Sequence, residues 1–227
     1  MQSKQAIAEK SEGGPKAGPK SAAKPAGKPA LKPGAKTDQV GVRQQVLDAT
    51  ALLLRRKGYE ATTTRAIADQ VGIKGGSIYH HFPSKDAIVA EVVNIGVRVV
   101  YDAVARAIET LPAHATPRQR IEAAIKAHLL SSLENSDYTS ASIRAFAFLP
   151  SEIRASCRAE RQRYEELWRS LVDELYKAKL IDPKISKDSV RLLLLGALNW
   201  AGEWYRPDRM DIDKIAHDFA ASVVHAV

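Results

Sequence analysis

The sequence predicts an all-α protein. Apolar residues recur three or four positions apart over most of the chain, the spacing that places them on one face of a helix. No segment alternates apolar and polar residues in the manner of a half-buried strand, and no internal repeat occurs. Hydrophobic residues make up 45% of the 227 residues, which is enough for a substantial core. We divide the chain into three parts, which are residues 1–38, 39–84 and 85–227.

Residues 1–38 have the composition of a disordered tail. The segment is rich in Lys, Pro, Ala and Gly, and its few large apolar side chains cannot offset the entropy lost on ordering. Eight lysines oppose three acidic residues. Two interpretations fit this composition. The tail is either a solubilising leader without a specific role or a mobile basic arm that follows phosphate groups.

The excess positive charge lies at one end of the chain. Of the net charge of +8, residues 1–38 carry +5 and residues 39–90 carry +3. The remaining residues hold 19 basic and 19 acidic side chains. A nucleic-acid partner attracts such a region through counterion release.

Cysteine content and hydropathy predict a cytoplasmic protein. The single cysteine, Cys157, excludes an internal disulfide and suits a reducing compartment. No apolar stretch follows the early lysines, so no secretory signal is predicted. The most apolar run, residues 192–202, is shorter than the about 20 residues that a membrane span needs. No contact with a membrane is therefore expected.

Apolar residues recur three or four positions apart in residues 39–57, which predicts an amphipathic helix. Its apolar face consists of Val40, Val42, Val46, Leu47, Ala49, Leu53 and Leu54. Basic residues 55–57 lie in its last turn, where they interact favourably with the helix dipole. Gly58 is expected to end it.

The stretch from Thr62 to Asp86 predicts two short helices joined by a tight turn. Thr62 or Thr63 caps the first helix, and Gly72 follows it as a residue that needs a positive φ. The second helix covers residues 74–82, and Pro83 prevents its continuation. Two helices joined by such a turn form the shape that places the second helix in the major groove of DNA.

The run GYEATTTRAIADQVGIKGGSIYHHFPSKDAI, residues 58–88, resembles the helix-turn-helix of the TetR family of transcriptional regulators. Glycine, aromatic, histidine and Ser-Lys positions match in register. One departure is Ala66, where many members have an acidic residue that completes a capping box. The resemblance implies that residues 75–82 enter the groove of double-stranded operator DNA.

Eight residues are expected to contact DNA on this basis: Thr63, Arg65, Lys74, Gly75, Ser77, Tyr79, His80 and Lys85. The family pattern makes Tyr79 and His80 phosphate contacts. The charged members suit phosphates, and Gly75 allows the helix start to approach the DNA closely. Ser77 can bond a base edge or a phosphate. We expect Ile78 and Phe82 in the core.

The sequence predicts neither a metal site nor an enzyme. Adjacent His80 and His81 would point about 100° apart on a helix, so they cannot easily share an ion. No nucleophile elbow, phosphate-binding glycine loop or paired carboxylates occur. We therefore predict no catalytic residue and no cofactor.

Residues 84–112 predict a long helix that connects the DNA-binding part to the rest. Ser84 caps it and Pro112 marks its end, while Gly96 in its middle permits either a bend or close packing. Five further helices are predicted, at residues 117–133, 139–149, 151–179, 186–205 and from Asp211 or Asp213 to Val227.

The last two predicted helices are apolar on more than one face. Residues 192–195 are four consecutive leucines, and the final helix repeats the excess with Ile215, Phe219, Val223 and Val224. One face would pack on its own domain and the other on a second copy, as a four-helix bundle across a twofold axis. The TetR resemblance implies the same homodimer. Full burial within one chain is the alternative.

TetR-like proteins commonly hold a small molecule among the helices of the larger domain, so the resemblance implies a small-molecule effector. The residues expected to line its site are Arg144, Phe148, Tyr164, Trp168, Asn199, Trp200 and Trp204. Arg144 interrupts an apolar run and needs a partner or an anionic ligand, and Asn199 is a polar group in another such run. For the aromatic residues of this set, packing in the hydrophobic core is the alternative to lining the effector site.

The stretch LLLLGALNWAGEWYRPD, residues 192–208, resembles the corresponding helix of TetR-type repressors of fatty-acid and steroid catabolism. Several of these respond to acyl-CoA thioesters. The resemblance implies a hydrophobic effector such as an acyl-CoA, with Arg144, Arg161 or Arg163 near its phosphates. The expected function is a repressor that leaves DNA when the effector favours another separation of the DNA-binding heads. Activation, and a sequence-tolerant architectural DNA-binding protein driven by the tail, are the alternatives.

Overall fold

A computed structural model describes residues 39–133 and 137–224, and the regular structure in these ranges is helical throughout. The predicted tail, residues 1–38, lies outside the described residues, as does the expected end of the last helix. The helices are α1 (Gln39–Ala61), α2 (Thr64–Val71), α3 (Gly75–Ile78), α4 (Lys85–Glu109), α5 (Pro117–Leu133), α6 (Asp137–Arg144), α7 (Ser151–Ser156), α8 (Arg158–Lys177), α9 (Lys187–Asn199), α10 (Ala201–Trp204) and α11 (Ile212–Val223). The predicted all-α class is confirmed. Within the described ranges, no helix is both long and apolar enough to cross a bilayer.

Polar caps fix the starts of four helices. The side chains of Thr63 and Ser84 each accept a backbone N–H three residues ahead, at 3.1 Å. Ser186 and Asp211 do the same at the starts of α9 and α11. A cap of this kind contributes about 1 kcal/mol, because it satisfies a helix N–H that otherwise has no partner. The predicted cap Ser84 is therefore confirmed, Thr63 is selected over Thr62, and Asp211 rather than Asp213 begins the last helix.

Two glycines adopt positive φ in the DNA-binding part. Gly72 has φ 79° and ψ 30° and ends α2, as predicted. Gly58 has φ 74° and ψ −179°, which interrupts the helical path of α1. The continuous helical path therefore ends at Gly58, as predicted, and the short turn that follows up to Ala61 lies beyond this kink within the range given for α1.

Two predicted helices are shorter than expected. The helix predicted at 139–149 ends at Arg144 and is followed by a 3-10 turn at Phe146–Phe148. The helix predicted at 186–205 is divided at Trp200, which has φ −93° and ψ 3°. No glycine or proline stands at either interruption, so the sequence carried no local signal for it.

The helix predicted at 151–179 is also divided, at Cys157. This residue has φ −93° and ψ 0°, a conformation between helix and strand that ends α7 and begins α8. The expectation that Ser151 caps the helix after Pro150 was wrong. Pro150 occupies the cap position, and the hydroxyl of Ser151 instead donates to Glu152.

Buried side chains form two hydrophobic cores, and α4 contributes to both. The first core joins α1, α2, α3 and the first half of α4 to α6 and α7. The second joins the rest of α4 to α5, α8, α9 and α11. The change from one to the other falls between Val93 and Val100 of α4. Helices α6 and α7 therefore share a core with the helix-turn-helix.

Helix α6 crosses α4 closely at Gly96. A Cβ atom at this position would lie 2.3 Å from the carbonyl oxygen of Tyr138 and 2.7 Å from Cβ of Ser142. Helix α4 continues through Gly96 without interruption. Close packing, one of the two predicted roles of this glycine, is the one observed.

Polar contacts join the other side of α6 to α1. The Tyr138 hydroxyl donates to Asp48 at 2.6 Å, and Arg55 lies 2.5 Å from Asp137. Since α6 contacts both α1 and α4, a displacement of α6 must disturb the support of the helix-turn-helix.

Candidate DNA-binding face and ligand cavity

The outward side of α2 and α3 carries the residues predicted to contact DNA. Six of them are exposed, namely Thr63, Arg65, Lys74, Gly75, Tyr79 and His80, while Ser77 and Lys85 are half-buried. Arg65 is 92% exposed and lies 3.9 Å from Asp69, too far for a strong ion pair. Ile78 and Phe82 are buried beneath this face, as predicted. The arrangement leaves the basic groups free to meet phosphates.

The second helix of the motif is shorter than predicted. Helix α3 ends at Ile78, and the chain reaches Phe82 through turn hydrogen bonds, including one of 3.0 Å from the Phe82 N–H to the Ile78 carbonyl. Tyr79, which is 57% exposed, and His80 therefore lie on this turn. Both side chains remain on the surface, so the shortening does not withdraw them from a DNA backbone.

Lys85 already has a partner within the chain. Its Nζ lies 3.6 Å from the centre of the Tyr59 ring and donates to the Tyr59 carbonyl at 3.4 Å. The Tyr59 hydroxyl donates to Asp86 at 2.7 Å, and burial together with this carboxylate raises the pKa of Tyr59 to about 12. A phosphate contact by Lys85 would have to share the ammonium group with Tyr59.

A cavity lies where the two cores meet. Its volume is about 70 Å³, so it is small in the empty protein. Its walls come from α4, α5, α6, α8 and α9, through Val97, Val100, His128, Ser142, Ile143, Arg161, Tyr164, Glu165, Leu195 and Asn199. The apolar lining residues make its interior hydrophobic. Ser142 and Ile143 belong to α6, the helix that supports the DNA-binding part.

Two rings, His128 and Tyr164, line the cavity, and Trp168 packs behind them. His128 Nδ1 lies 2.6 Å from the Tyr164 hydroxyl, and both rings pack edge-on against Trp168. Complete burial lowers the pKa of His128 to about 3, so its ring is neutral at physiological pH. Burial likewise raises the pKa of Tyr164.

The structure brings together only some of the residues predicted to bind an effector. Tyr164 and Asn199 line the cavity, and Trp168 is fully buried behind Tyr164. Asn199 is exposed, which corrects its expected burial. Trp204 packs against Phe219 in the second core and donates to a backbone carbonyl.

The other three predicted residues lie away from the cavity. Arg144 and Phe148 line a separate surface depression beside the end of α1, where Phe148 is 81% exposed. Arg144 satisfies its charge with Glu203, 2.5 Å away. Trp200 is exposed on the surface and lines no part of the cavity. The sequence indicated that Arg144 needs a partner but not that the chain supplies one.

An arginine-lined cleft adjoins the cavity. Arg154, Arg158 and Arg161 line it together with Phe146, and its volume is about 540 Å³. Arg161 and Glu165 line both the cleft and the cavity. The guanidinium of Arg161 lies 3.7 Å from the centre of the Phe146 ring, and burial lowers its pKa.

Of the arginines that line this cleft, Arg161 was named from the sequence, but Arg154 and Arg158 were not. His128 of the cavity was not among the residues expected at the site either. Arg163, the alternative to Arg161, instead stacks on Tyr101. The spacing of Arg154, Arg158 and Arg161 at intervals of four and three residues was the available signal.

Helix α9 carries an exposed apolar face. Leu192 is 60% exposed, and Leu193 and Trp200 are each 64% exposed. By contrast, Ile215, Phe219 and Val223 of α11 are partly buried against the chain's own second core, and Val224 is buried in it. The predicted surplus of apolar surface is therefore visible on α9 and largely absent from α11.

The described residues contain no cluster of three or more histidine, cysteine or acidic side chains that would hold a metal ion. Cys157 is buried, and burial raises the pKa of its thiol, so it is a poor nucleophile.

Comparison with known families identifies the class of protein that this fold and site define. The family described as "Bacterial regulatory proteins, tetR family" matches residues 46–92. The family described as "Tetracyclin repressor-like, C-terminal domain" matches residues 114–227. The chain belongs to the TetR family of transcriptional regulators, and its helix-turn-helix is the DNA-binding part of that family.

Individual relatives share most of the chain. The HTH-type transcriptional repressor KstR2 of Rhodococcus jostii (strain RHA1) is 29% identical over 193 residues, which cover 81% of this chain and 90% of the relative. The crystal structure of superantigen PfiT has a TM-score of 0.70 at 30% identity and covers 84% of this chain and all of that one. AibR in complex with isovaleryl coenzyme A and operator DNA has a TM-score of 0.70 at 22% identity, over 81% of this chain and 98% of that one, and shares the fold.

Proposed function

We propose that this TetR-family regulator is a repressor that binds operator DNA as a homodimer and is released by a hydrophobic acyl-CoA. The single observation that carries the proposal is the position of the cavity. It lies between the two cores, and Ser142 and Ile143 of α6 form part of its wall. A ligand there must act on the helix that supports the DNA-binding part.

The helix-turn-helix face supports binding to duplex DNA. Arg65, Lys74, Tyr79 and His80 are exposed together over a buried base, and the described residues give Lys74 no ion-pair partner. Each can donate a hydrogen bond to a phosphate oxygen, and contacts of this kind position a protein on the duplex. The small Gly75 at the start of α3 lets the backbone N–H groups approach the DNA.

The exposed face of α9 supports dimerisation. Leu192, Leu193 and Trp200 are large apolar side chains that gain free energy when covered. A second copy of the same face would cover them across a twofold axis. Dimeric helix-turn-helix proteins read two half-sites about one DNA turn apart.

The cavity and the cleft together support an acyl-CoA as effector. The apolar walls of the cavity suit an acyl chain, and the three arginines of the cleft suit the phosphates of coenzyme A. Arg161 and Glu165 border both spaces, so one ligand can occupy them without a break. Among proteins of this fold, AibR is named in complex with isovaleryl coenzyme A.

The proposed mechanism is a shift between two arrangements of the DNA-binding heads. A ligand that widens the cavity moves α6, and α6 holds α1 through Tyr138–Asp48 and Asp137–Arg55. DNA affinity then falls by the ratio of the ligand's affinities for the two arrangements, and by no more.

Fluorescence anisotropy with a selected operator tests the DNA-binding part of the proposal. Duplexes are enriched from a random library by binding to the protein, and affinities are then measured for Lys74→Ala and Tyr79→Phe. Each loses a charge-assisted contact in each half-site, so we expect the Kd to rise about tenfold per half-site. Lys184→Ala, which removes an exposed charge from the loop between α8 and α9, is the matched control and keeps wild-type affinity.

Two results would contradict this proposal. Equal loss of affinity in Lys74→Ala and Lys184→Ala would mean that the helix-turn-helix face does not contact DNA. Failure to enrich any sequence would favour the architectural, sequence-tolerant alternative, in which the basic residues 1–38 supply the affinity.

A further inference from the structure

We infer that His128 binds a carbonyl or hydroxyl oxygen of the effector and thereby selects ligands that carry such an oxygen in their apolar part. The inference rests on the proposed function, because it requires a ligand in the cavity. It adds a specificity-determining residue and a chemical requirement: a pure hydrocarbon chain would not satisfy the site.

The hydrogen bond to Tyr164 determines which nitrogen of His128 carries the proton. Within the described residues, His128 Nδ1 is the hydrogen-bond acceptor found for the Tyr164 hydroxyl, at 2.6 Å. If Nδ1 held the proton instead, the hydroxyl hydrogen of Tyr164 would have no acceptor. The indole N–H of Trp168 lies near the same phenol oxygen, although without normal hydrogen-bond geometry, and it too needs that oxygen as an acceptor. Tyr164 therefore donates to Nδ1, and the proton of the neutral ring is on Nε2.

The Nε2–H group of His128 is a buried donor without a partner. It has no hydrogen bond among the described residues, and less than 1 Å² of the atom is accessible to solvent. The ring as a whole is 1% exposed and forms part of the cavity wall. Buried N–H groups are nearly always paired in folded proteins, so an unpaired one in a ligand cavity indicates a missing acceptor.

Packing alone does not account for a histidine at this position. The ring stacks on Tyr164 with centres 6.0 Å apart and meets Trp168 edge-on with centres 6.1 Å apart. A phenylalanine would make these ring contacts without an unsatisfied N–H, but it would leave the Tyr164 hydroxyl without its acceptor. The hydrogen bond to Tyr164 accounts for Nδ1, whereas the unpaired Nε2–H group is a cost to the empty cavity that a ligand oxygen would remove.

The ligand contact also requires the cavity to open. Because Nε2 is covered in the empty protein, an oxygen can reach it only when the walls formed by α5 and α8 separate slightly. Recognition of the correct ligand is then coupled to the widening that moves α6. A ligand without the oxygen would gain less from the same widening.

Matched ligands test the inference on the full-length wild-type protein by calorimetry. The first pair is octanoyl-CoA and S-octyl-CoA, a thioether that lacks the thioester carbonyl. The second pair is 3-hydroxyoctanoyl-CoA and octanoyl-CoA, which differ by an oxygen on the chain. We expect about tenfold tighter binding of the oxygen-bearing member in one pair, and that pair identifies the source of the oxygen.

His128→Phe should bind both members of that pair with equal affinity, whereas His217→Phe, on the exposed side of α11, should retain the wild-type preference. If His128→Phe does not fold, nitrogen NMR of the histidine-labelled wild-type protein gives a second readout. The Nε2–H signal of His128 should shift with the oxygen-bearing ligand and not with its analogue.

The possible failures are distinguishable. A wild-type protein that binds both members of each pair equally contradicts the inference and leaves the proposed function intact. A preference that persists in His128→Phe also contradicts it. If none of the three CoA ligands binds, the acyl-CoA effector of the proposed function is itself wrong.

Discussion

Replacement of Gly96 by alanine should destabilise the protein, although the same change usually stabilises a helix. The added Cβ would lie 2.3 Å from a backbone oxygen of α6 and less than 3 Å from two side-chain atoms of Ser142. A backbone oxygen cannot rotate away as a flexible side chain can. Helix α6 must therefore move from α4, and with it the contacts that α6 makes to α1.

The expected size of the effect follows from two opposing terms. Overpacking of a close contact costs typically 1–3 kcal/mol, and this site belongs at about 3 kcal/mol because backbone must move. Alanine gains roughly 1 kcal/mol of helix propensity over glycine. The net loss in the free energy of unfolding is about 2 kcal/mol. For a chain of this size that lowers Tm by about 4–8 °C.

Thermal unfolding followed by circular dichroism, at one protein concentration for all variants, measures this loss. Gly41→Ala is the matched control, because a Cβ at Gly41 of α1 would meet no atom within 4 Å. It should keep or raise Tm. If Gly96→Ala is as stable as Gly41→Ala, then α4 and α6 do not approach each other as described, and the route from cavity to DNA-binding part loses its support.

Three further predictions concern pH, assembly and charge. Between pH 6.5 and about 3, His128 binds a proton in the unfolded chain but not in the folded protein, so the free energy of unfolding falls with falling pH by roughly 1.4 kcal/mol per pH unit. In urea unfolding, the free energy of unfolding of His128→Phe should depend less steeply on pH than that of the wild type. An identical pH dependence would contradict the burial of His128. Leu193→Glu should sediment as a monomer where the wild type sediments as a dimer, and a monomeric wild type would exclude the proposed interface. Arg144→Ala should change stability by less than about 1 kcal/mol, because its pair with Glu203 is half-exposed. It should also leave octanoyl-CoA affinity unchanged, and a loss of affinity would place the effector outside the cavity.

Helix starts were predictable because their determinants are local. A serine, threonine or aspartate before an apolar run satisfies a backbone N–H within three residues. Ser84 could therefore be identified without any knowledge of the fold, and Thr63 and Asp211 could each be narrowed to one of two residues. The same holds for Gly72, where the end of α2 requires a positive φ.

The interruptions at Cys157 and Trp200 depend on tertiary packing instead. Both residues have φ −93° and ψ near 0°, a conformation open to most residue types. Cys157 is buried in the first core, whereas α8 continues into the second, so the break lies where the chain changes cores. Nothing within a few residues of Cys157 records that change.

The lining of the cavity was harder to predict than the exposed face of the helix-turn-helix. The residues expected to contact DNA lie in one continuous stretch whose pattern fixes its own geometry, whereas five helices form the cavity. Aromatic content selected Tyr164, which lines the cavity, but it also selected Phe148 and Trp200, which lie on the surface. His128 was not among the residues expected at the site, and only its hydrogen bond with Tyr164 singles it out.

The affinity for a selected operator duplex, measured with and without saturating octanoyl-CoA, tests the central claim most directly. Ligand binding is verified in parallel by calorimetry on the same sample. The account predicts that occupied protein binds the operator at least tenfold more weakly than empty protein, as expected for a coupling free energy of at least about 1.4 kcal/mol. Unchanged operator affinity in protein that calorimetry shows to be fully occupied would contradict it.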